Sequence, residues 1–213
     1  VMNTTTGVFT AGIAGTAQSF APVTISTGTV SGVDFGLNFD TIVNTNNAGR
    51  GSLRQFLTTA NALGNGGLAQ AGRTAGIESA IFMISNGSAA PGLRASLNYF
   101  SGGVATIAPA SALPAIADPA ILNAQTQPGF AGTPIVRLDG AGAGGGVDGL
   151  SLASGGTGST VRGLMLTRFS NDGLVIQANA NGVNVAGNWI GTNGSGSTTL
   201  GNTNDGIEIF GAN

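Results

Sequence analysis

The C-terminal third of the chain repeats a short pattern of apolar and polar positions at a fixed interval. A glycine turn followed by alternating apolar residues occurs three times, at Val147–Leu152, Asn171–Ile176 and Asn204–Ile209. The first two copies follow one another at a 24-residue interval. The third copy comes later than that interval requires, because a nine-residue insertion precedes it. A second motif, at Val161–Leu166 and Val185–Ile190, is interleaved at the same interval as the first. The chain therefore repeats a unit of two short strands.

A unit of this length has the size of one coil of a solenoid, in which each coil buries its apolar face only against its neighbours. We predict an all-β fold, a right-handed parallel β-helix with a short N-terminal capping α-helix. The repeat places equivalent apolar residues of successive coils in two inward columns: Leu150, Leu174 and Ile207 in one, and Leu152, Ile176 and Ile209 in the other.

One segment has helical periodicity instead. Apolar residues recur at positions i, i+3, i+4, i+7 and i+10 from Leu53 to Leu63. Ser52 precedes them as a predicted N-cap, and Gln55 follows it three positions later, which is the pattern of a capping box. We predict a helix over residues 53–63 that covers the otherwise open first coil.

Residues 1–40 show strand periodicity. They form a predicted N-terminal β-strand segment, which serves as a linker, as a strand donor or as the end of a preceding module. Residues 41–213 form the predicted parallel β-helix. Four apolar residues of the N-terminal segment share one face of a strand, since they occupy alternate positions: Val33, Phe35, Leu37 and Phe39.

The composition excludes several kinds of chemistry. The chain has no His, no Cys and no Lys, so it can form neither a Cys or Ser-His-Asp nucleophile nor a zinc site of the usual ligands. With seven arginines and a net charge of −2, the chain has too little positive charge to favour binding to the phosphates of a nucleic acid. No apolar run is long enough to span a membrane. These absences favour a structural or binding role over catalysis.

Several motifs resemble those of large bacterial cell-surface, adhesin-like proteins, over roughly residues 31–213. The similarity rests on Gly51–Gln55 (Gly-Ser-Leu-Arg-Gln) followed by Ala60-Asn61, and then on Ala112–Ile116, Ala124–Gly129, Leu138–Gly140 and Gly187–Thr192. The resemblance implies a parallel β-helix in a secreted, structural or adhesive protein, without catalytic residues. We therefore expect an extracellular or cell-surface location and no enzyme activity.

Acidic residues occupy equivalent positions of successive coils. Asp148, Asp172 and Asp205 each precede a glycine, and we expect ordinary turns in which the Asp bonds its own backbone and the Gly supplies a positive φ. A polysaccharide-degrading enzyme with paired carboxylates is the alternative. Asp172, Asp205 and Glu208 are also candidate calcium ligands, since carboxylate oxygens suit that ion, and no other cofactor is expected.

Two kinds of partner are expected. Trp189 and Tyr99 are candidate glycan-stacking residues, so carbohydrate binding is the alternative to a purely structural role. Otherwise the chain associates end to end into a fibre or continues into further modules. In head-to-tail association, the N-terminal segment covers the last strand of a neighbour through the following residues: Val33, Phe35, Leu37 and Phe39 against Ile207, Ile209 and Phe210.

Overall fold

In the computed structural model of the 213-residue chain, the structure describes residues 40–64, 74–90, 92–193 and 200–211. The chain divides into two units, Val1–Asn38 and Phe39–Asn213, and all the described residues belong to the second. The predicted division between residues 40 and 41 stays a prediction, because the first unit lies outside the described residues.

The described residues form one α-helix and thirteen short strands. The helix, α1, spans Leu53–Ala62. The strands are β1 (Thr41–Ile42), β2 (Glu78–Phe82), β3 (Phe100–Ser101), β4 (Val104–Ile107), β5 (Ala120–Asn123), β6 (Val136–Asp139), β7 (Leu150–Leu152), β8 (Thr160–Arg162), β9 (Leu164–Thr167), β10 (Leu174–Ile176), β11 (Asn184–Ala186), β12 (Trp189–Ile190) and β13 (Ile207–Ile209). Short 3₁₀ turns follow β5, β6 and β7.

The strands are distributed over three sheets. The first has the order β1-β2-β5-β8-β11, the second β7-β10-β13, and the third β3-β4-β6-β9-β12. All neighbours pair in parallel except β3 and β4, which are antiparallel. Most consecutive strands of the chain thus belong to different sheets, and each sheet grows by one strand at a time as the chain proceeds.

The predicted interval and columns are confirmed by the strand register. Leu174 pairs with Leu150 on one side and with Ile207 on the other, which are the partners that the repeat and its insertion predict. Val185 pairs with Val161 in the same way. Apolar side chains of successive repeats therefore stack in register, and those of the inner repeats form the buried core. Below, a coil means one such repeat of the chain and not a turn of a closed solenoid.

The fold class predicted from the repeat, an all-β right-handed parallel β-helix, is wrong. The described residues contain an α-helix and three separate sheets of short strands, one of them mixed, and they do not form a closed solenoid. The regular interval holds only in the C-terminal third. Ala80 and Leu122, which pair on β2 and β5, are much further apart in the chain, and an antiparallel strand pair lies between them. The architecture is a mixed α/β arrangement.

The predicted helix is confirmed, with one difference at its N-cap. The Ser52 side chain accepts a hydrogen bond from the Gln55 N–H at 3.2 Å, as expected. The Gln55 side chain does not return to Ser52 but donates to Thr59 Oγ1, while the Ser52 N–H donates to the Gly49 carbonyl. Only one of the two hydrogen bonds of the predicted capping box therefore forms. The turn before the helix supplies the acceptor for the Ser52 N–H in place of the Gln55 side chain. Leu63 ends the helix and is exposed.

Side-chain amides connect neighbouring coils. Gln127 is 1% exposed, and its side chain accepts from the Ile84 N–H and donates to the Ile84 carbonyl. Asn188 accepts from the Leu164 N–H at 3.0 Å and donates to the Val161 carbonyl at 2.8 Å. These amides satisfy backbone groups in and beside short strands, near the points where the chain turns from one sheet to the next.

Gly149 and Gly173 allow the coils of the second sheet to approach closely. A Cβ on Gly149 would lie 2.3 Å from the Gly173 carbonyl oxygen and 2.9 Å from the Phe169 ring. Neither glycine has a positive φ, so the predicted left-handed turn is wrong at these positions. The glycines are required by the close approach of the next coil.

We expect Gly149→Ala to destabilise the fold by about 1–3 kcal/mol, because the added methyl group would overlap a backbone carbonyl that cannot move alone. The melting temperature should fall by about 2–4 °C per kcal/mol for a chain of this size, measured by circular dichroism. Gly145→Ala is the matched control, since a Cβ there meets no atom within 4 Å. Equal melting temperatures of the two variants would contradict this packing.

Candidate functional site

In each sheet, the strand that comes last in the chain forms one edge of that sheet. These strands, β11, β12 and β13, are together called the terminal edge. In the described part of the chain, no strand pairs with their outer sides. An edge strand presents unpaired backbone N–H and C=O groups, which can bind a further strand.

The terminal edge also exposes the apolar columns. Leu150 is 1% exposed and Leu174 is 0% exposed, but Ile207, at the next position of the same column, is 42% exposed. Ile209 and Phe210 are 58% and 44% exposed. Residues that are buried in inner coils are therefore uncovered in the outermost one, and the edge combines unpaired backbone with apolar surface.

The three equivalent aspartates connect successive coils. Asp148 Oδ1 accepts the N–H of Asp172 at 3.2 Å, and Asp172 Oδ1 accepts the N–H of Asp205 at 2.7 Å. The expectation that each Asp bonds its own turn is therefore wrong for Asp148 and Asp172, because each carboxylate bonds the backbone one coil further on. Asp205 stands at the same position of the outermost coil and is exposed, and no described N–H donates to its carboxylate.

Glu208 lies among these carboxylates. Burial, a hydrogen bond with Asp172, and the negative charges of Asp172, Asp205 and Asp148 raise the pKa of Glu208 above its usual value. Asp172 is fully buried, and its Oδ2 accepts no bond from an N–H or hydroxyl group of the described residues.

The candidate calcium ligands are thus brought near one another, on the turn and strand of the outermost coils. Within residues 40–64, 74–90, 92–193 and 200–211, however, no three His, Cys, Asp or Glu side chains are arranged to hold a metal ion. The backbone N–H groups already occupy one oxygen each of Asp148 and Asp172. Calcium binding by Asp172, Asp205 and Glu208 stays a prediction.

The candidate glycan-stacking residues do not come together. Trp189 lies on β12, paired with Met165, whereas Tyr99 directly precedes β3. These strands are the opposite edges of the third sheet. Four strand-to-strand spacings of about 4.8 Å lie between these two edges, which gives a separation on the order of 19 Å. The two rings therefore cannot bind one sugar unit together. Both rings are half-buried, and Tyr99 packs against the core.

An ion-pair cluster was not predicted by the sequence analysis. Asp139 is buried at the end of β6, and the Arg168 guanidinium donates to both of its carboxylate oxygens. Arg137 Nη2 lies 3.7 Å from Asp139 Oδ2. Burial acts to raise the pKa of Asp139, but the hydrogen bonds from Arg168 and Ala141 and the two positive charges outweigh it, so the pKa is lowered. Arg168 and Asp139 are far apart in the chain, and no sequence interval marks them as partners.

Of the predicted self-association residues, Ile207, Ile209 and Phe210 lie on the terminal edge or directly after it. The complementary apolar residues of the N-terminal segment lie outside the described residues, so the structure reports nothing on their position: Val33, Phe35, Leu37 and Phe39.

Comparison of the chain with models of protein families, with characterised proteins and with solved structures finds no match. The resemblance to bacterial cell-surface proteins therefore stays a prediction. Among the described residues, no helix is long and apolar enough to cross a membrane.

We expect Glu208→Gln to raise the melting temperature at neutral pH. The folded-state pKa of Glu208 is raised, so ionisation of this group destabilises the fold as the pH rises above the usual glutamate value. The amide removes that charge while it keeps the size and shape of the side chain. Below about pH 4, where the glutamate is protonated in folded and unfolded chains, the difference should disappear.

Thermal unfolding at both pH values measures this effect. Asp118→Asn, which removes one negative charge from a residue outside the cluster, is the control and should not show the same pH-dependent gain. A lower melting temperature of Glu208→Gln at neutral pH would show that the glutamate charge stabilises the fold.

Proposed function

We propose that this chain is a structural or adhesive segment of an extracellular surface protein, and that copies associate end to end through the terminal edge. The proposal includes no catalytic step and no cofactor. The observation that carries it is the exposure of Ile207, Ile209 and Phe210 beside three edge strands whose inner neighbours are paired on both sides.

The same contacts that join the inner coils are available at the terminal edge. Strands β7 and β10 are joined by parallel pairing and by stacked aliphatic side chains. In the turns that precede them, the Asp172 N–H donates to the Asp148 carboxylate. β13 offers the outer side of its backbone and Ile207 and Ile209, and Asp205 offers a carboxylate at the corresponding place. An added strand would therefore find both polar and apolar partners.

The proposed occupant is a second copy of the chain, through its residues 33–39. In that segment Val33, Phe35, Leu37 and Phe39 alternate with polar or small residues. A strand with one apolar face matches an edge that exposes Ile207 and Ile209 and whose outer backbone pairs with no other described strand. Because the donating and accepting surfaces differ, the association is head to tail and does not close, so it produces fibres.

We expect the purified chain to form concentration-dependent assemblies that Ile209→Asp abolishes, because the substitution places a charge on the apolar surface to be buried. Sedimentation velocity and negative-stain electron microscopy measure the assembly state. Asn204→Asp is the matched control: it adds the same charge at an exposed residue of the preceding turn and should leave assembly unchanged.

A second pair of variants tests the donor segment in the same assay. Phe35→Asp should prevent assembly, whereas Asn38→Asp, on the polar face of the same predicted strand, should not. A wild-type chain that stays monomeric at every accessible concentration would overturn end-to-end association. Assembly that survives both Ile209→Asp and Phe35→Asp would overturn the proposed interface.

A further inference from the structure

Arg162 is the last residue of β8 and projects from the outer face of the first sheet. It is half-buried, and it pairs in register with Asn123 on β5 and with Ala186 on β11. In the described part of the chain its guanidinium donates no hydrogen bond and has no carboxylate within ion-pairing distance. Its Nε is buried and has no hydrogen-bond partner among the described residues.

The other arginine of the sheets with a buried, unpaired Nε is different. Arg137 lies beside Asp139, with Nη2 at 3.7 Å from the carboxylate, so its charge is compensated. Arg162, in contrast, has no carboxylate partner among the described residues. Because Arg162 is only half-buried, the accessible part of its guanidinium can bind an anion from outside, and a charge-assisted hydrogen bond is stronger than a neutral one.

Arg162 faces an open depression of about 340 Å³ across β2, β5 and β8. Its lining combines two half-buried isoleucines with hydroxyl and amide groups: Thr74, Ser79, Ala80, Ile81, Ile121, Asn123, Thr126 and Arg162. This volume lies at the lower end of the range of small-molecule sites, and one arginine among neutral polar groups provides a single positive charge.

Asn123 supplies a second donor next to Arg162. Its Oδ1 accepts the N–H of Gln125 at 3.2 Å, which fixes the side chain and leaves its Nδ2 without a partner among the described residues. The Thr126 hydroxyl, in contrast, has no free donor, because it donates its hydrogen to the Asn123 carbonyl while it accepts the Phe82 N–H. Arg162 and Asn123 lie on neighbouring strands, which are about 4.8 Å apart, so their N–H groups can converge on one anion.

We propose that this depression binds the carboxylate of an acidic sugar unit, a uronate. Arg162 holds the carboxylate, since a planar guanidinium forms the strongest hydrogen bonds with planar oxygen pairs. Asn123 Nδ2 donates to the same group or to a ring hydroxyl. Ile81 and Ile121 contact the carbon face of the sugar. The site is on the outer face of the first sheet, and it does not depend on assembly at the terminal edge.

The lining favours a sugar over other anions. A phosphate carries more charge than one uncompensated arginine and contains no apolar surface for the two isoleucines. An acidic peptide needs acceptors for its own backbone N–H groups, and the free groups of the depression that the structure identifies, on Arg162 and Asn123, are donors. A uronate combines one carboxylate, several hydroxyl acceptors and a small apolar face.

The test is an NMR titration of the ¹⁵N-labelled full chain with a short oligogalacturonate. All proteins carry Ile209→Asp, which is outside the depression and is expected to prevent end-to-end assembly at NMR concentrations. We expect saturable shifts of amides in β2, β5 and β8, and a dissociation constant at least about tenfold weaker for Arg162→Gln, from the lost charge-assisted hydrogen bond. Arg162→Lys should bind with intermediate affinity, because it keeps the charge without the planar donor pair. Arg50→Gln, an exposed arginine outside the depression, is the matched control and should bind as the wild type does.

Ala186→Glu gives a second test that keeps Arg162 in place. Residue 186 pairs with Arg162 on the adjacent strand, so a glutamate there should occupy the guanidinium and weaken uronate binding. The proposal is overturned if no saturable shift occurs, if a neutral oligosaccharide or a glutamate-containing tripeptide binds equally well, or if Arg50→Gln and Arg162→Gln weaken binding by the same factor.

Discussion

The structure depends on the close, in-register approach of successive coils in the second sheet. The N–H of Gly149 donates to the Asp172 carbonyl at 2.9 Å, and the N–H of Gly173 donates to the Asp205 carbonyl at 2.9 Å. The same register places Leu150 beside Leu174 on the neighbouring strand. A side chain on either glycine would meet a backbone carbonyl, so the spacing of the coils, the aliphatic columns and the aspartate bonds all require glycine at these positions.

Polar side chains extend this stacking to places where the backbone cannot pair with itself. Asp148 and Asp172 each accept an N–H of the next coil, and Asn188 and Gln127 bond backbone groups of a neighbouring one. A short strand leaves many turn groups near the core, and an unpaired buried group is unfavourable by about 1–3 kcal/mol. Amide and carboxylate side chains at the turns therefore allow very short strands to pack stably.

The sequence was informative where a local rule determines the structure. The interval from Leu150 to Leu174 predicted the register, and Ser52 predicted the start of the helix. The fold class was predicted wrongly because the interval of the last coils was extended to the whole chain, although Ala80 and Leu122 pair over a much longer stretch of sequence. The candidate sites were predicted only in part. The residues around Arg162 come from strands β2, β5 and β8, which are distant in sequence, and no periodic pattern shows that an arginine lacks a carboxylate partner.

The two proposals rest on the same kind of physical argument, applied to different parts of the chain. In the inner coils of the second sheet the Asp carboxylates and the aliphatic columns meet the next coil, so an exposed Asp205 beside an exposed Ile207 is a departure from the pattern of the same molecule. Arg162 is an exception of the same kind among the arginines of the sheets, because Arg137 and Arg168 both have a carboxylate partner and Arg162 has none among the described residues. A group that lacks the partner its equivalents have is where external binding gains most, since the fold has already oriented it and little entropy remains to be lost.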